Sequence, residues 1–385
     1  MNENKGSIAI AGAGIAGLSA ALELAARGWT VRISEKAQAL SEVGAGLQLA
    51  PNAMRHLERL GVAARLAAQA GAPQGLYLMD GRSARPLMAM PLGAKALERW
   101  RHPYLVCHRA ALQAAFLSAC RNNPAIDIRL GETLSSSPGD TAFRLGCDGV
   151  WSAERDRAGF DKARFSGHVA WRTTLAADAL PASFTNALPE ARSVSAWLGP
   201  DVHFIAYPVK GGDYLNFVAI TKGGNPGEVW SKSGDRARLQ SAYRGWSPAV
   251  RDVIAAAPDW TFWPLFEMTE AHFLAPDQTI LLGDASHAVT PFAAQGAAMA
   301  IEDAAALAET LDMPDRTAAL ARFETVRKAR IAAVAKRGKL NRFAYHATGP
   351  FALGRNMLFA LRGADSFLKD LDWLYAYDAV AAMRG

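Results

Sequence analysis

Apolar residues recur along this chain with two different periods, and the switches between them mark out its elements. Residues 8–11 (Ile-Ala-Ile-Ala) form a short unbroken apolar run, as a strand buried on both faces requires. Leu18, Ala21, Leu22 and Ala25 then recur at three- and four-residue spacing up to Gly28, which predicts a helix. A second run, 30–33, ends at Glu35. Helical spacing returns over 53–60, closed by Gly61, and again after Arg109 through Leu112, Phe116 and Leu117. Residues 72–96 are broken by Pro and Gly around a strand signal at 75–79. Residues 166–222 alternate like strands over 169–175, 193–198, 203–209 and 214–220. Strands grouped in this way predict an antiparallel sheet, distinct from the strand–helix–strand start. Residues 279–282 read as one more buried strand, and from Gly296 the pattern is helical almost to the end.

At 385 residues, half of them hydrophobic, the chain is expected to form more than one domain or one large compound domain. Its three cysteines, Cys107, Cys120 and Cys147, are too scattered for a disulfide framework or a metal cluster, which points to a reducing, cytoplasmic setting. No base stands near Cys147 in the sequence, so it reads as a packed thiol. The net charge of +6 is spread along the chain, whereas a nucleic-acid binder would concentrate it. The densest basic group, running from Arg327, Lys328 and Arg330 to Lys336, Arg337, Lys339 and Arg342, reads as the solvated face of a helix. No apolar run reaches the length of a membrane span, and the first strand begins too early to leave room for a targeting peptide.

Between the first strand and the first helix lies Gly12-x-Gly14-x-x-Gly17, with Ala16 inside it. Strand, glycine turn, helix, second strand and terminal acid follow in the order a dinucleotide site requires. Gly12 permits the tight turn, Gly14 lets the backbone approach a pyrophosphate, and Gly17 allows close helix packing. The helix start offers free N–H groups and the positive end of a dipole to phosphates. Glu35, with Lys36 beside it, can hold ribose hydroxyls. This motif alone does not separate FAD from NAD.

Two distant pieces narrow the choice. One is Gly146-Cys147-Asp148-Gly149-Val150-Trp151-Ser152-x-x-Arg155. The other runs Leu281-Leu282-Gly283-Asp284-Ala285-Ser286-His287-Ala288-Val289-Thr290-Pro291-Phe292-x-x-Gln295-Gly296-Ala297-Ala298-Met299-x-Ile301-Glu302-Asp303. Together with the first motif, and in this order, they resemble the class A FAD-dependent aromatic monooxygenases. Gly44-Ala45-Gly46-Leu47-Gln48, Trp171-Arg172, His203-x-x-x-Tyr207-Pro208, Gly349-Pro350 and Asp372-Trp373-Leu374-Tyr375-x-Tyr377-Asp378 are similar to the salicylate and 3-hydroxybenzoate hydroxylase branch. The resemblance covers nearly the whole chain. It departs between Gly131 and Asp148, where relatives carry a longer β-hairpin and an Ala in place of Cys147. That shortening is expected to remove an edge ribbon from the FAD-binding domain and leave catalysis intact.

The resemblance implies an α/β fold: a Rossmann-like FAD-binding domain (1–72, 97–165 and 271–345), an inserted, mostly antiparallel substrate domain (73–96 and 166–270), and C-terminal helices (346–385). It implies non-covalent FAD, with NADH or NADPH as co-substrate bound transiently, since no second glycine-rich nucleotide fold is present. Asp284, after Gly283, would accept from ribityl hydroxyls. The turn from Pro291 and the helix start at Gln295, Gly296, Ala297 and Ala298 would face the flavin pyrimidine. Asp148 would touch the pyrophosphate, Arg109 the phosphates or adenosine, and Gln48 would pack beside the ring.

In this family the reduced flavin reacts with O2 to give a C4a-hydroperoxide, which hydroxylates an electron-rich ring in a dry cavity. His203 and Tyr207 share strand parity and are the candidates to activate a phenol, with Gln295 orienting its hydroxyl. Phe292, Trp171 and Val194 are candidate apolar walls, and His287 reads as structural. The implied partners are a small aromatic acid, NAD(P)H and O2, with no nucleic acid or membrane, in a monomer or homodimer. A second reading keeps the fold but drops the oxygen chemistry, as in a prenyl-chain reductase. A third takes the apolar stretch 351–361 as a membrane or partner surface, against the expectation that it packs on the FAD domain.

Overall fold

A computed structural model describes residues 5–40, 46–135, 141–224, 227, 232–233 and 235–385; Gly44, Ala45 and part of the shortened 131–148 segment lie outside these. Five parallel strands form one sheet, in the order Thr279–Leu281, Phe143–Gly146, Ser7–Ala11, Thr30–Glu35 and Ile126–Leu130. The apolar run at 8–11 sits centrally, with Ile8 and Ile10 fully buried. Phe143–Gly146 pairs with strands on both sides, so the shortening leaves this pairing intact. The helix Ile15–Ala25 that follows the first strand is buried almost throughout, packed between Arg109–Arg121 and Gly296–Thr310. Its Ala and Gly content lets these helix backbones lie close together.

The second sheet has eight strands, in the order Lys232–Ser233, Thr261–Glu267, Arg164–Ala176, Tyr214–Lys222, Val202–Val209, Ser193–Gly199, Gly75–Asp80 and Pro86–Pro91. All pairings are antiparallel except Ser193–Gly199 beside Gly75–Asp80. A small antiparallel ribbon pairs Gly46–Leu49 with Leu105–His108.

Alternation along these strands splits the large sheet into two faces. Ala170, Val194, Tyr207, Val218 and Ile220 join the core of the parallel sheet. Trp171, Phe204, Ala206, Phe217 and Ala219 point the other way, onto a core with Leu239, Val250, Val253 and Ile254 from helices Arg236–Ala242 and Pro248–Ala256. Trp171 therefore does not face the cofactor side, against the expectation that it is an apolar wall of the substrate pocket. Strand parity places it on the far face, with its indole N–H donating to Thr221 at 3.0 Å.

A further expectation is corrected at the C-terminal end. In the helix Arg316–Tyr345, Arg327 and Arg330 are not solvated but 0% and 5% exposed, because they turn inward onto carboxylates. The helix Gly349–Leu361 packs along the edge strand Pro86–Pro91 and also against the end of the helix Arg316–Tyr345, where Arg355 donates to Ala344 O at 2.8 Å and the Phe351 ring lies 5.7 Å from that of Phe343. There Phe359, together with Tyr345, packs on Leu78, Ala196 and Leu198. Phe351, Leu353, Met357, Leu358 and Leu361 stay exposed. Among the described residues no helix is long and apolar enough to cross a membrane.

Candidate active site

The three motifs meet at the carboxyl ends of the parallel strands, where an open α/β sheet offers its crevice. Gly12 lies at φ +98°, and a Cβ there would stand 2.5 Å from the carbonyl oxygen of Cys147. A Cβ on Gly17 would run into the carbonyl of Gly12, and one on Gly283 (φ +61°) would meet the methyl of Ala16 at 2.9 Å. Backbone bonds tie the same pieces: Cys147 N–H donates to Ala11 O at 2.8 Å and Leu282 N–H to Gly146 O at 2.9 Å. Cys147 is buried, and burial pushes its thiol well above the ordinary value, so it is a packed thiol and not a nucleophile.

Gly14 differs from its neighbours. Among the described residues, no atom beyond its own chain neighbours lies within 4 Å of where its Cβ would be, and it caps the helix Ile15–Ala25 without any side-chain hydrogen bond. The helix start thus opens its N–H groups onto free space that suits a pyrophosphate. A second such start occurs at Gly296, also with no atom near its Cβ position and no side-chain cap from Gln295. The buried Ala298 anchors that helix, while Gly296, Ala297 and Pro291 remain half-buried. Asp284 is exposed, with no hydrogen bond or ion pair to any described residue. Two open helix starts and an unengaged carboxylate beside them fit the phosphate, ribityl and pyrimidine parts of FAD.

The other cofactor candidates are partly engaged within the protein. The Glu35 carboxylate accepts from Ala13 N–H at 2.8 Å and from Ala37 N–H at 2.9 Å, which holds it over the glycine turn. Lys36 beside it is exposed. Asp148 accepts from the Ser152 hydroxyl and from Ala153 N–H at 2.8 Å, capping the helix Ala153–Arg157. Arg109 stands half-buried at the start of its helix, near enough to Arg172 for their charges to repel.

Across the crevice, His203 and Tyr207 face the cofactor-side core from the strand Val202–Val209, at 1% and 3% exposure. The ring of Phe292 lies 5.3 Å from that of His203. Burial first, then the imidazoles of His346 and His168, hold His203 well below the ordinary histidine value, so it is a neutral imidazole at pH 7. Burial pushes the Tyr207 phenol up against the opposing pull of the Arg172 guanidinium. The same crowding explains Gly46, since a Cβ there would sit 2.5 Å from the Tyr207 ring. Gly46 N–H instead donates to Asn216 Oδ1 at 2.9 Å, and Asn216 is the cross-strand partner of Tyr207. Two residues along, the Gln48 side-chain oxygen accepts from the Tyr104 hydroxyl.

Gln295 follows Ala294, whose φ of +52° is a left-handed conformation that turns the chain sharply before the helix. The Gln295 side-chain oxygen accepts from Asn52 Nδ2 at 2.9 Å. The same amide donates to Glu302 at 2.7 Å, and Arg327 and Arg330 brace Glu302 from behind. His287 pairs with Asp303 at 2.5 Å in the buried interior, in keeping with its structural reading.

Sequence reasoning missed Asn52, Arg172, Asn216, His168 and His346. In the sequence Arg172 stands out only within Trp171-Arg172, yet strand parity turns it to the cofactor side because Trp171 faces away. Its Nε has no hydrogen-bond partner, and its guanidinium lies 5.4 Å from the centre of the Trp263 ring. The other four carry no local signal, because only the fold brings them to the site.

A family model described as "FAD binding domain" matches residues 5–90 and 131–338. A 3-amino-4-hydroxybenzoate 2-monooxygenase of Streptomyces platensis is 34% identical over 97% of this chain and 96% of its own length. A 3-hydroxybenzoate 6-hydroxylase of Polaromonas naphthalenivorans is 30% identical over 96% of each chain. The chain belongs to the class A flavoprotein aromatic monooxygenases. A 6-hydroxynicotinate 3-monooxygenase of Bordetella bronchiseptica is a further relative of this monooxygenase, at 33% identity over 86% of the chain and 90% of its own length. Among solved structures, a salicylate hydroxylase substrate complex shares the monooxygenase's fold, with a TM-score of 0.79 at 21% identity over 99% and 98% of the two chains. The cofactor of this monooxygenase is FAD.

Proposed function

We propose that this monooxygenase hydroxylates a phenolic or heteroaromatic acid, using NADH or NADPH and O2. The observation that carries the reading is the pair His203 and Tyr207: two buried polar side chains on one sheet face, opposite the turn that bears Phe292 and Gln295. Bound FAD supplies the passage of electrons from the nicotinamide to O2. The protein's own residues prepare the ring. His203, neutral at pH 7, accepts the phenolic proton, and Tyr207 hydrogen-bonds the same oxygen or the acid group. The Gln295 oxygen is occupied by Asn52, which leaves its amide N–H groups to hold the ring oxygen. Arg172 has no salt bridge to any described residue and supplies positive charge beside Tyr207 for an anionic ligand.

On this reading, segments 1–72, 97–165 and 271–345 serve the cofactor, with Gly12, Gly14, Ala16, Gly17, Glu35, Lys36, Gln48, Arg109, Asp148, Gly283, Asp284, Pro291, Gly296, Ala297 and Ala298 lining its path. Segments 73–96 and 166–270 serve the substrate. The relatives act on hydroxybenzoates and a hydroxynicotinate, and these set the first ligands to try. A cytoplasmic setting is supported by three cysteines that are all free and buried.

The test is oxygen uptake and NAD(P)H oxidation with 3-hydroxybenzoate, 3-amino-4-hydroxybenzoate and 6-hydroxynicotinate, repeated in His203→Ala. Wild type should form hydroxylated product with one of these classes. In the variant, product should fall by about two to four orders of magnitude while NAD(P)H is still consumed and hydrogen peroxide appears. Unchanged coupling of NAD(P)H use to hydroxylation in His203→Ala would remove both residues from the mechanism.

A further inference from the structure

His203 belongs to a group of three imidazoles gathered around Phe292. Its Nδ1 lies 2.9 Å from Nε2 of His346, the residue that closes the long helix Arg316–Tyr345. The His346 ring stands 5.9 Å from that of His168, and the Phe292 ring lies 5.7 Å from His168 and 5.8 Å from His346. His203 is 1% exposed, whereas His346 is half-buried and reaches toward the surface. Beyond it lies the exposed pair Lys222–Asp201, 2.6 Å apart.

We propose that His346 is a proton-relay residue, taking the substrate's phenolic proton from His203 and delivering it to solvent on the Asp201 side of the molecule. The inference rests on His203 being the base. The hydrogen bond engages Nδ1, so Nε2 is the ring nitrogen left for substrate. As the phenol O–H bond breaks, its proton joins His203 Nε2, and the Nδ1 proton moves to His346 Nε2. His346 then loses its Nδ1 proton to water. His203 ends neutral in its other tautomer, His346 returns to its starting charge, and one proton has left the site.

The surroundings explain why a relay is needed. Buried among His168 and His346, with no carboxylate bonded to it among the described residues, His203 is held toward its neutral form, which favours passing the proton on. His346 is also pushed down, to about 4, by burial first and then by His168, Arg342 and Lys222, against the opposing pull of Asp201. Tyr345, next in the chain, packs on His203 and carries no charge at neutral pH. His346 thus holds a proton only in passing, and the relay closes when pH falls through about 4 and His346 fills.

The experiment follows proton release with a pH indicator when the FAD-loaded enzyme is mixed rapidly with 3-hydroxybenzoate, alongside ligand affinity from the flavin absorbance shift. In His346→Gln, which keeps an acceptor but cannot relay, release should slow at least about tenfold with affinity within about twofold, and added imidazole should restore it. Wild-type release in His346→Gln, with none in His203→Ala, overturns the relay and leaves the base in place. Wild-type release in His203→Ala overturns the base reading itself. If His346→Gln fails to hold FAD, nitrogen-15 NMR of the wild type decides. His203 Nδ1 and His346 Nε2 must share one proton and respond together to ligand, and independent resonances would overturn the relay.

Discussion

Asn52 donates the two protons of one amide to two different residues, to Gln295 Oε1 at 2.9 Å and to Glu302 Oε1 at 2.7 Å. The first acceptor lies on the turn that faces the candidate flavin site. The second is a fully buried carboxylate bound to Arg327 and Arg330, and Arg330 also donates to the carbonyls of Trp373 and Leu374. A continuous set of hydrogen bonds thus joins the C-terminal segment to the orientation of one side-chain amide in the site.

Replacing Asn52 tests that link. In Asn52→Ala, Gln295 is free to rotate and Glu302 loses a donor, at a cost of about 1–3 kcal/mol for the buried group left unpaired. Hydroxylation per NAD(P)H oxidised should fall in Asn52→Ala and in Gln295→Ala, and the double variant should fall no further than the worse single one. Fully additive losses would show that Asn52 acts independently of Gln295.

Gly14 and Gly12 should fail in different ways. Gly14→Ala adds a methyl to open space, so apoprotein stability should be nearly unchanged while FAD binding is lost or much weakened. Gly12→Ala drives its methyl into the Cys147 carbonyl and should lower the melting temperature of the apoprotein as well. Thermal melts with and without added FAD separate the two, and full FAD occupancy in Gly14→Ala would remove the pyrophosphate from that helix start.

Asp284 is exposed, so its replacement by Ala should leave the fold intact and show itself in cofactor affinity. Loss of a charge-assisted hydrogen bond, worth about 1.5–3 kcal/mol, corresponds to a rise in the FAD dissociation constant of roughly ten- to a hundredfold. An unchanged constant, read by flavin fluorescence, counts against the ribityl role.

The buried charges predict an acid limb in stability. Burial alone would raise Glu302 and Asp303, but Arg330 and Arg327 outweigh it for Glu302, and His287 and Arg327 for Asp303, holding both below the ordinary carboxylate range. Their contribution is therefore complete above the unfolded carboxylate values near about 4 and is lost as pH falls below them toward the folded ones. Glu302→Gln leaves Arg327 and Arg330 short of a countercharge and should cost about 3–5 kcal/mol at neutral pH. Urea unfolding from about pH 3 to pH 7 should also show a shallower acid limb in the variant.

By itself the sequence determined the elements and the chemistry that depends on neighbours along the chain. The 8–11 run, the Gly12–Gly17 turn and Glu35 are local, and their spacing is enough to specify strand, turn, helix and a nucleotide site. The parity of His203 and Tyr207 likewise placed both on one face, because a strand alternates strictly. What the tertiary structure decided were the partners. Trp171 obeys the same alternation, but which face met the cofactor side depended on what packed against each. Arg327 and Arg330 looked solvated in a basic run, since the carboxylates that draw them inward stand on another helix. His346 lies 143 residues from His203, and no spacing rule reaches that far. Local sequence sets backbone geometry through short-range sterics and hydrogen bonds, whereas charge pairing and proton paths depend on distances that only the closed fold defines.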